Sequence, residues 1–309
     1  MMKRRNKPSA NDSHKIGLTE QTSVRSLRSS LIAVLFVVCV LIALMVNILM
    51  KNSTFEIISS EGEIASDTVK FNDPCLEKAV CQAMGIRKAP IKLKDAVKVK
   101  SLDLSCGEDS RAQITDLTGL SSFVLLEELN LADNQISDVS ELSNLKNLKN
   151  LHLEDNLISD IDPLASLTNL RLLDLEGNEI SNIYALKDLT ELTVFDIRNN
   201  LVSDISAISN MKKLKELYIR NNYIVDITAL EDLEKVTYLS MGENNIEDIS
   251  ATKNMKNLTH LIICANKLTD ISVIGNFPKL IYLEIQGNRI KDYSPLRELK
   301  KECKVVTHW

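Results

Sequence analysis

The fold is decided by a stretch that reads Leu129-Asn130-Leu131-Ala132-Asp133-Asn134-Gln135-Ile136-Ser137-Asp138-Val139. Its frame returns every 22 residues to the end of the chain, and each frame carries three further apolar positions. Seven apolar columns run through eight such frames, and the only strongly polar intruders are Thr252 and Glu302. A strict period of this length is typical of a solenoid, in which each repeat buries its apolar residues against its neighbours. Thr252 is therefore the expected weak point of the array.

Two leucines placed two residues apart predict a short β-strand in each frame. Alternate side chains of a strand point to opposite faces, so Leu151 and Leu153 would face the core while His152 faces outward. Stacked copies would then form one parallel sheet. The asparagine after each strand can satisfy buried backbone groups of adjoining turns that water does not reach. We expect a structural ladder of these side chains at Asn134, Asn156, Asn178, Asn200, Asn222, Asn244, Asn266 and Asn288.

A second polar column follows the asparagines, and it has two interpretations. Stacked carboxylates bind Ca²⁺ in some repeat proteins, whereas Asp and Asn at a bend more often accept hydrogen bonds from the backbone itself. The column lacks the additional ligands that Ca²⁺ requires within one loop, so we predict structural caps, no metal and no cofactor. The column consists of Asp138, Asp160, Asn182, Asp204, Asp226, Asp248, Asp270 and Asp292.

Both ends of the array are predicted to be covered. Asp73 followed by Pro74 marks a helix start, because Asp accepts from orphan N–H groups and Pro fits the first helical position. Apolar residues then recur at helical spacing from Leu76 to Met84, and Gly85 ends the run. The frame breaks at Glu302, after which residues 304–307 read as one last strand. We therefore expect a helical cap over 71–100 and repeats over 101–309.

The cap and the frame together resemble the internalin-type leucine-rich repeat proteins of bacterial cell surfaces. The resemblance rests on Phe71-Asn72-Asp73-Pro74-Cys75-Leu76-Glu77-Lys78-Ala79-Val80, leading into Ser101-Leu102-Asp103-Leu104, and on the 22-residue frame. It implies an α/β fold: a right-handed coil with a parallel concave sheet, a 3₁₀ or extended convex side, and an N-terminal helical cap. It also implies that the concave face docks protein ligands.

The N-terminal part of the chain reads as a membrane anchor. Residues 1–30 hold seven basic and two acidic side chains, and residues 31–50 hold no charge. Twenty apolar residues in a helix span roughly 30 Å, the thickness of the hydrocarbon core of a bilayer. A cleaved signal peptide is the alternative, but the apolar run is longer than such a core and no small-residue cleavage pattern follows it. We predict a single transmembrane helix at 31–50.

Charge also sets the expected orientation and excludes one class of partner. Basic flanks stay in the cytoplasm, so 1–30 would be a cytoplasmic tail, 51–70 a stalk, and the repeats extracellular in a single-pass type II protein. Residues 51–309 carry 30 basic and 40 acidic side chains. Such an acidic body is a poor match for phosphate backbones, so nucleic acid is not expected as a partner.

The residues that project from the concave sheet change in character along the array. Acidic residues dominate its N-terminal half, two arginines lie in the middle, and aromatic and apolar residues dominate the C-terminal half. Tyr and Arg are enriched at binding hot spots, although strands also favour exposed Tyr without any ligand. The predicted ligand-binding residues are Glu154, Asp174, Asp196, Arg198, Arg220, Tyr218, Tyr238, His260, Ile262 and Tyr282.

The sequence offers no catalytic constellation, so an enzyme is not expected. It contains no Gly-rich phosphate loop, no H-E-x-x-H and no C-x-x-C, and His260 and Cys264 lie too far apart along a strand to act as a dyad. The pattern favours a membrane-anchored surface module that binds a protein or cell-wall ligand. Two alternatives are a structural or regulatory scaffold for membrane machinery and an intracellular repeat protein resembling phosphatase regulators.

Overall fold

The computed structural model describes residues 67–87, 90–107 and 113–308. The predicted basic tail (1–30), the predicted membrane helix (31–50) and most of the predicted stalk (51–66) lie outside the described residues and stay predictions. Within the part of the chain that is described, no helix combines the length and the apolar character needed to cross a membrane.

The cap begins before residue 70, which was the predicted end of the stalk. Val69 is buried, and its N–H donates to the Ile91 carbonyl oxygen over 2.8 Å. Beside it, Thr68 and Lys92 form an antiparallel bridge. A single buried valine among polar neighbours gives no periodic signal, which is why the pattern placed residues 67–70 in the stalk. The cap therefore begins before residue 71.

The cap contains the predicted helix, α1 (Pro74–Ala83), and a short second helix, α2 (Leu93–Ala96). Asp73 starts α1 as predicted, since its Oδ1 accepts from the Cys75 N–H over 2.7 Å. Its Oδ2 accepts from the Thr115 N–H over 2.8 Å, which joins the cap to the first repeat. Burial opposes ionisation of Asp73, but the N–H donors outweigh it and lower its pKa.

The predicted parallel sheet is confirmed. Within the described residues, ten strands lie in sequence order, and each pairs with the next in parallel. From β2 to β10 the paired residues are 22 apart, as with Leu151 and Leu173, so every column of the sequence becomes a row across the sheet. The strands are β1 (Ser101–Asp103), β2 (Glu128–Asn130), β3 (Asn150–His152), β4 (Leu172–Asp174), β5 (Val194–Asp196), β6 (Glu216–Tyr218), β7 (Tyr238–Ser240), β8 (His260–Ile262), β9 (Tyr282–Glu284) and β10 (Lys304–Val306).

The opposite wall consists of short 3₁₀ helices, as the three-residue apolar spacing indicates. Each cap predicted in the second polar column is present: Asp138 Oδ1 accepts from the Ser140 N–H over 2.8 Å, and Asn182 does the same for Tyr184 over 2.9 Å. In the described residues the 3₁₀ helices are Leu120–Ser122, Ser140–Asn144, Asp162–Ser166, Tyr184–Asp188, Ser206–Asn210, Thr228–Leu230, Ser250–Asn254, Ser272–Asn276 and Ser294–Glu298.

Thr252, the predicted weak point, does not leave a buried polar group unpaired. Its side chain is fully buried, but its hydroxyl donates to the Ile249 carbonyl oxygen over 2.7 Å. A buried hydroxyl that is hydrogen-bonded avoids most of the cost of desolvation. Polarity alone therefore does not weaken this repeat, because a threonine in a helical turn can bond to its own backbone three residues back.

The asparagines form a continuous ladder between the sheet and the opposite wall. Asn200 is representative: its Nδ2 donates to the carbonyl oxygens of Leu175, Ile197 and Arg198 over 2.8, 3.3 and 3.0 Å. Its Oδ1 accepts from the Ile180 N–H of the preceding turn over 2.9 Å. Each side chain thus joins two turns, and backbone groups that the leucine columns seal from water are satisfied.

The junction between cap and repeats depends on Gly119, whose φ is +108°. A Cβ there would lie 2.7 Å from the Lys70 carbonyl oxygen and 2.9 Å from Phe71 Cδ1. We expect Gly119→Ala to lower the free energy of unfolding by about 1–3 kcal/mol, because alanine disfavours this positive φ and its Cβ would collide with the Lys70 carbonyl oxygen. Urea unfolding followed by circular dichroism measures the loss. In the matched control Gly107→Ala the new Cβ meets nothing within 4 Å, and equal losses in the two variants would contradict the prediction.

Candidate functional site

The candidate site is the open side of the sheet, here called the sheet face. It is formed by the first and third residues of each strand and by the residue two positions after the third, since the middle strand residue points into the core. Every residue predicted for ligand binding lies on it. Tyr238, His260 and Tyr282 hold first positions; Asp174, Asp196, Tyr218 and Ile262 hold third positions; Glu154, Arg198 and Arg220 follow their strands.

Four rings contact one another in succession across β6 to β9, and they form a feature here called the aromatic row. The ring centroids of Tyr218 and Tyr238 are 5.0 Å apart, those of Tyr238 and His260 5.1 Å, and those of His260 and Tyr282 5.9 Å. The parallel register explains three of the rings, because Tyr238, His260 and Tyr282 are direct partners on neighbouring strands; Tyr218 lies diagonally from Tyr238, and its own partner is Ser240. Offset ring pairs at such distances stabilise one another, so the rings are arranged before any ligand arrives.

A cation lies at each end of the aromatic row. The guanidinium carbon of Arg198 is 5.3 Å from the centroid of Tyr218, and Nζ of Lys304 is 5.2 Å from the centroid of Tyr282. Both distances fit cation–π contacts. Lys304 was not among the predicted binding residues, although it occupies the same column as Tyr282 in the last strand. The row and its flanking cations therefore extend from the end of β5 to β10.

Two of the tyrosine hydroxyls in the aromatic row donate hydrogen bonds to glutamate carboxylates. Tyr218 donates to Glu216 Oε2 over 2.8 Å, and burial together with this carboxylate raises the pKa of Tyr218. Tyr282 donates to Glu284, and that hydrogen bond raises its pKa to about 12. Two of the hydroxyls are thus held in place as donors at neutral pH. Rigid, amphipathic tyrosines of this kind supply contact area at a low entropic cost.

Small residues lie beside the aromatic row: Ser240 is on β7, Gly242 follows β7, and Cys264 follows β8. Ser240 and Cys264 are buried, and a Cβ at Gly242 would lie 2.8 Å from Cys264 Sγ. Arg220 lies in the same row as Gly242 and pairs with Glu243. Burial also raises the pKa of Cys264 and so disfavours its thiolate. The geometry gives no support for Cys264 as a nucleophile.

The acidic half of the sheet face is only partly neutralised. Arg198 pairs with Glu176 and with Asp196, whose Oδ2 lies 2.7 Å from Arg198 Nη2. Asp174 accepts from the Glu176 N–H over 3.0 Å. Burial, reinforced by the charge of Asp196, raises the pKa of Asp174 to about 7. This half of the face is therefore a field of negative charge in which one carboxyl is close to half-protonated at neutral pH.

The raised pKa of Asp174 predicts a pH-dependent stability. The unfolded carboxyl titrates near pH 3.9, so between about pH 4 and pH 7 the folded chain keeps a proton that the unfolded chain has released. The stabilising contribution of the group is complete below that window and is lost as pH rises through it. We expect Asp174→Asn to be more stable than the wild type at pH 8 and close to it at pH 4. Thermal unfolding in metal-free buffer at both pH values measures this.

The matched control is Glu179→Gln, which removes an exposed carboxyl and should change the melting temperature at neither pH. An unchanged pH dependence of stability in Asp174→Asn would contradict the prediction.

Comparisons with known proteins agree with the repeat architecture. The family described as Leucine Rich repeats (2 copies) matches residues 124–166, 146–188, 168–210, 190–235, 212–254 and 256–298. A comparison with curated protein sequences finds no match.

Two solved structures illustrate the likeness. Internalin C2 from Listeria monocytogenes str. 4b F2365 is similar over 79% of this chain and 99% of its own, with 26% sequence identity and a TM-score of 0.63. A second similar structure is the leucine-rich repeat ectodomain of the Arabidopsis thaliana membrane receptor kinase GASSHO1/SCHENGEN3, in complex with CASPARIAN STRIP INTEGRITY FACTOR 2. It is similar over 68% of this chain and 27% of its own, with 22% identity and a TM-score of 0.58. The second likeness concerns the fold alone.

Proposed function

Since this chain belongs to the leucine-rich repeat family and is of the internalin type, we propose that it is a non-catalytic binding module that docks a protein ligand on its sheet face. The aromatic row carries this proposal. Stable interfaces concentrate their energy in a few buried Tyr, Trp and Arg residues. This face gathers three of the six tyrosines of the chain beside Arg198.

The arrangement favours a ligand of mixed character. The aromatic row offers an apolar strip about four strands wide, while Glu154, Asp174 and Asp196 present negative charge on the other half of the sheet face. Charge of one sign beside an apolar anchor steers a partner of opposite charge and fixes its register. A protein segment with a basic end and an apolar end would contact both the acidic half and the aromatic row. We place a cell-wall ligand second, because the acidic half offers it no comparable contact.

We further propose that the module works at the cell surface, held by a membrane helix at 31–50 with the repeats outside in type II orientation. The support comes from the sequence: an uncharged apolar run of membrane-spanning length follows a basic segment. Protease added to intact cells should remove the repeats and spare the tail. Full protection of the repeats would contradict the orientation and leave the binding proposal standing.

The binding proposal is tested by replacing Tyr218, Tyr238 and Tyr282 with alanine. Cells displaying the full-length wild type or the triple variant are mixed with cells that share their environment. Proteins captured by the displayed repeats are then quantified by mass spectrometry. Each lost hot spot should cost about 2 kcal/mol or more, roughly a thirtyfold loss in affinity, so capture by the variant should fall to background.

The matched control replaces Tyr184 and Tyr223, which are exposed but lie outside the sheet face. This variant should capture the same proteins as the wild type. Circular dichroism establishes that both variants are folded. Equal capture by the wild type and a folded triple variant would overturn the aromatic row as the binding surface.

A further inference from the structure

Three potential metal ligands converge on the acidic half of the sheet face. His152 is the third residue of β3, Glu154 follows two positions later on the same side, and Asp174 is the register partner of His152 on β4. One ligand atom from each of the three side chains can be chosen so that all lie within 4.8 Å of one another. Bonds of roughly 2.0–2.2 Å place the corners of a tetrahedral shell about 3.3–3.6 Å apart, so the three atoms would move closer together by up to about 1.5 Å to share one ion.

One carboxylate oxygen of this cluster is left without a hydrogen-bond donor. Glu154 Oε2 is shielded from solvent and has no hydrogen-bond partner among the described residues. It lies 3.6 Å from His152 Nδ1, which is beyond a good hydrogen bond. A buried carboxylate oxygen without a donor is costly. An ion placed among the three groups would satisfy it.

The neighbouring strands add more negative than positive charge. On the β2 side the rows of His152 and Glu154 continue as Asn130 and Ala132; beyond Asp174, on the β4 and β5 side, they continue as Glu176, Asp196 and Arg198. Arg198 is paired with Glu176 and Asp196. His152 is thus the only basic group within the cluster, and it is neutral when it ligates a metal.

We propose that His152, Glu154 and Asp174 form a binding site for a divalent transition-metal ion, with Zn²⁺ as the best-fitting ion. The imidazole decides the class, because Ca²⁺ and Mg²⁺ prefer shells made of oxygen whereas Zn²⁺ accepts imidazole and carboxylate together. Three protein ligands leave a fourth tetrahedral position for water or for a group of an incoming ligand. The site does not depend on the proposed docking function, since it belongs to the chain alone.

The test is calorimetric titration of Zn²⁺ into the metal-free, full-length protein. We expect one ion bound per chain, and at least a tenfold weaker dissociation constant in each of His152→Ala, Glu154→Gln and Asp174→Asn, because even outer-shell changes cost metal sites tenfold or more. The matched controls are His308→Ala and Glu179→Gln, which remove an exposed imidazole and an exposed carboxyl elsewhere. Both should retain the wild-type affinity.

Two further measurements keep the outcome decisive. The zinc X-ray absorption spectrum should report nitrogen and oxygen ligands without sulfur, which separates this site from binding by the cysteines of the chain. Ca²⁺ and Mg²⁺ at the same concentration should not displace Zn²⁺. The proposal is overturned by absent zinc binding, by sulfur ligation, or by wild-type affinity in the three variants. Circular dichroism verifies that the variants compared are folded.

Discussion

Replacing Asn200 by leucine is expected to lower the free energy of unfolding by on the order of 3 kcal/mol. Leucine has a similar size but provides neither the donors to Leu175, Ile197 and Arg198 nor the acceptor for Ile180. Each buried group left unpaired costs about 1–3 kcal/mol. Urea unfolding monitored by circular dichroism measures the loss.

The location of the damage is as informative as its size. Each coil contacts only its neighbours, so opening should concentrate in the turns around Asn178, Asn200 and Asn222. Hydrogen exchange read by mass spectrometry resolves those turns. The matched control is Asn276→Leu, the same change at an exposed position, which should stay within about 0.5 kcal/mol of the wild type. A uniform loss of protection along the coil, or an equal cost in the control, would contradict the ladder as a local support.

Phe195→Ala is expected to cost about 3–5 kcal/mol, the usual range when a fully buried phenylalanine is truncated. Phe195 is the middle residue of β5 and has no exposed surface. Its loss would leave a cavity directly behind Asp196 and three residues before Arg198, where the acidic half meets the aromatic row. Thermal unfolding and exchange protection of β4 to β6 measure the effect.

Phe195→Leu is the natural comparison. The seven other repeats carry leucine in this column, so the backbone geometry accommodates it, and the cost should be nearer 1 kcal/mol. If alanine and leucine proved equally costly, the column would be constrained by something other than the volume of the buried side chain.

The period of the sequence was sufficient to predict most of the fold. Because side chains alternate in strands and repeats stack at equal spacing, columns such as Leu129, Leu151 and Leu173 had to become rows of one core. The ladder could be predicted because an asparagine amide both donates and accepts hydrogen bonds. The caps could be predicted because an aspartate carboxylate accepts hydrogen bonds from nearby backbone N–H groups. The resemblance to internalin-type repeats was confirmed by the family match and by the similarity to internalin C2.

Other features depend on side-chain conformation, which a column does not encode. The same pattern that placed Tyr218 on the sheet face gave no indication that it would stack on Tyr238 or lie beside Arg198. His152 was not singled out as a candidate, although the 22-residue spacing already placed it beside Asp174 on the next strand. The hydrogen bond of Thr252 and the start of the cap before residue 71 were not predicted for the same reason, since neither a local hydrogen bond nor a single buried valine leaves a periodic signal.

The most direct test of the sheet face as the docking surface is site-specific photo-crosslinking on intact cells. A photoreactive phenylalanine analogue placed at position 238 or 282 lies in the aromatic row, and one at position 184 or 223 lies on exposed surface outside it. Irradiation should yield the same discrete protein adduct from 238 and 282 and none from 184 and 223. Adducts from 184 or 223 with none from the aromatic row would contradict docking on the sheet face.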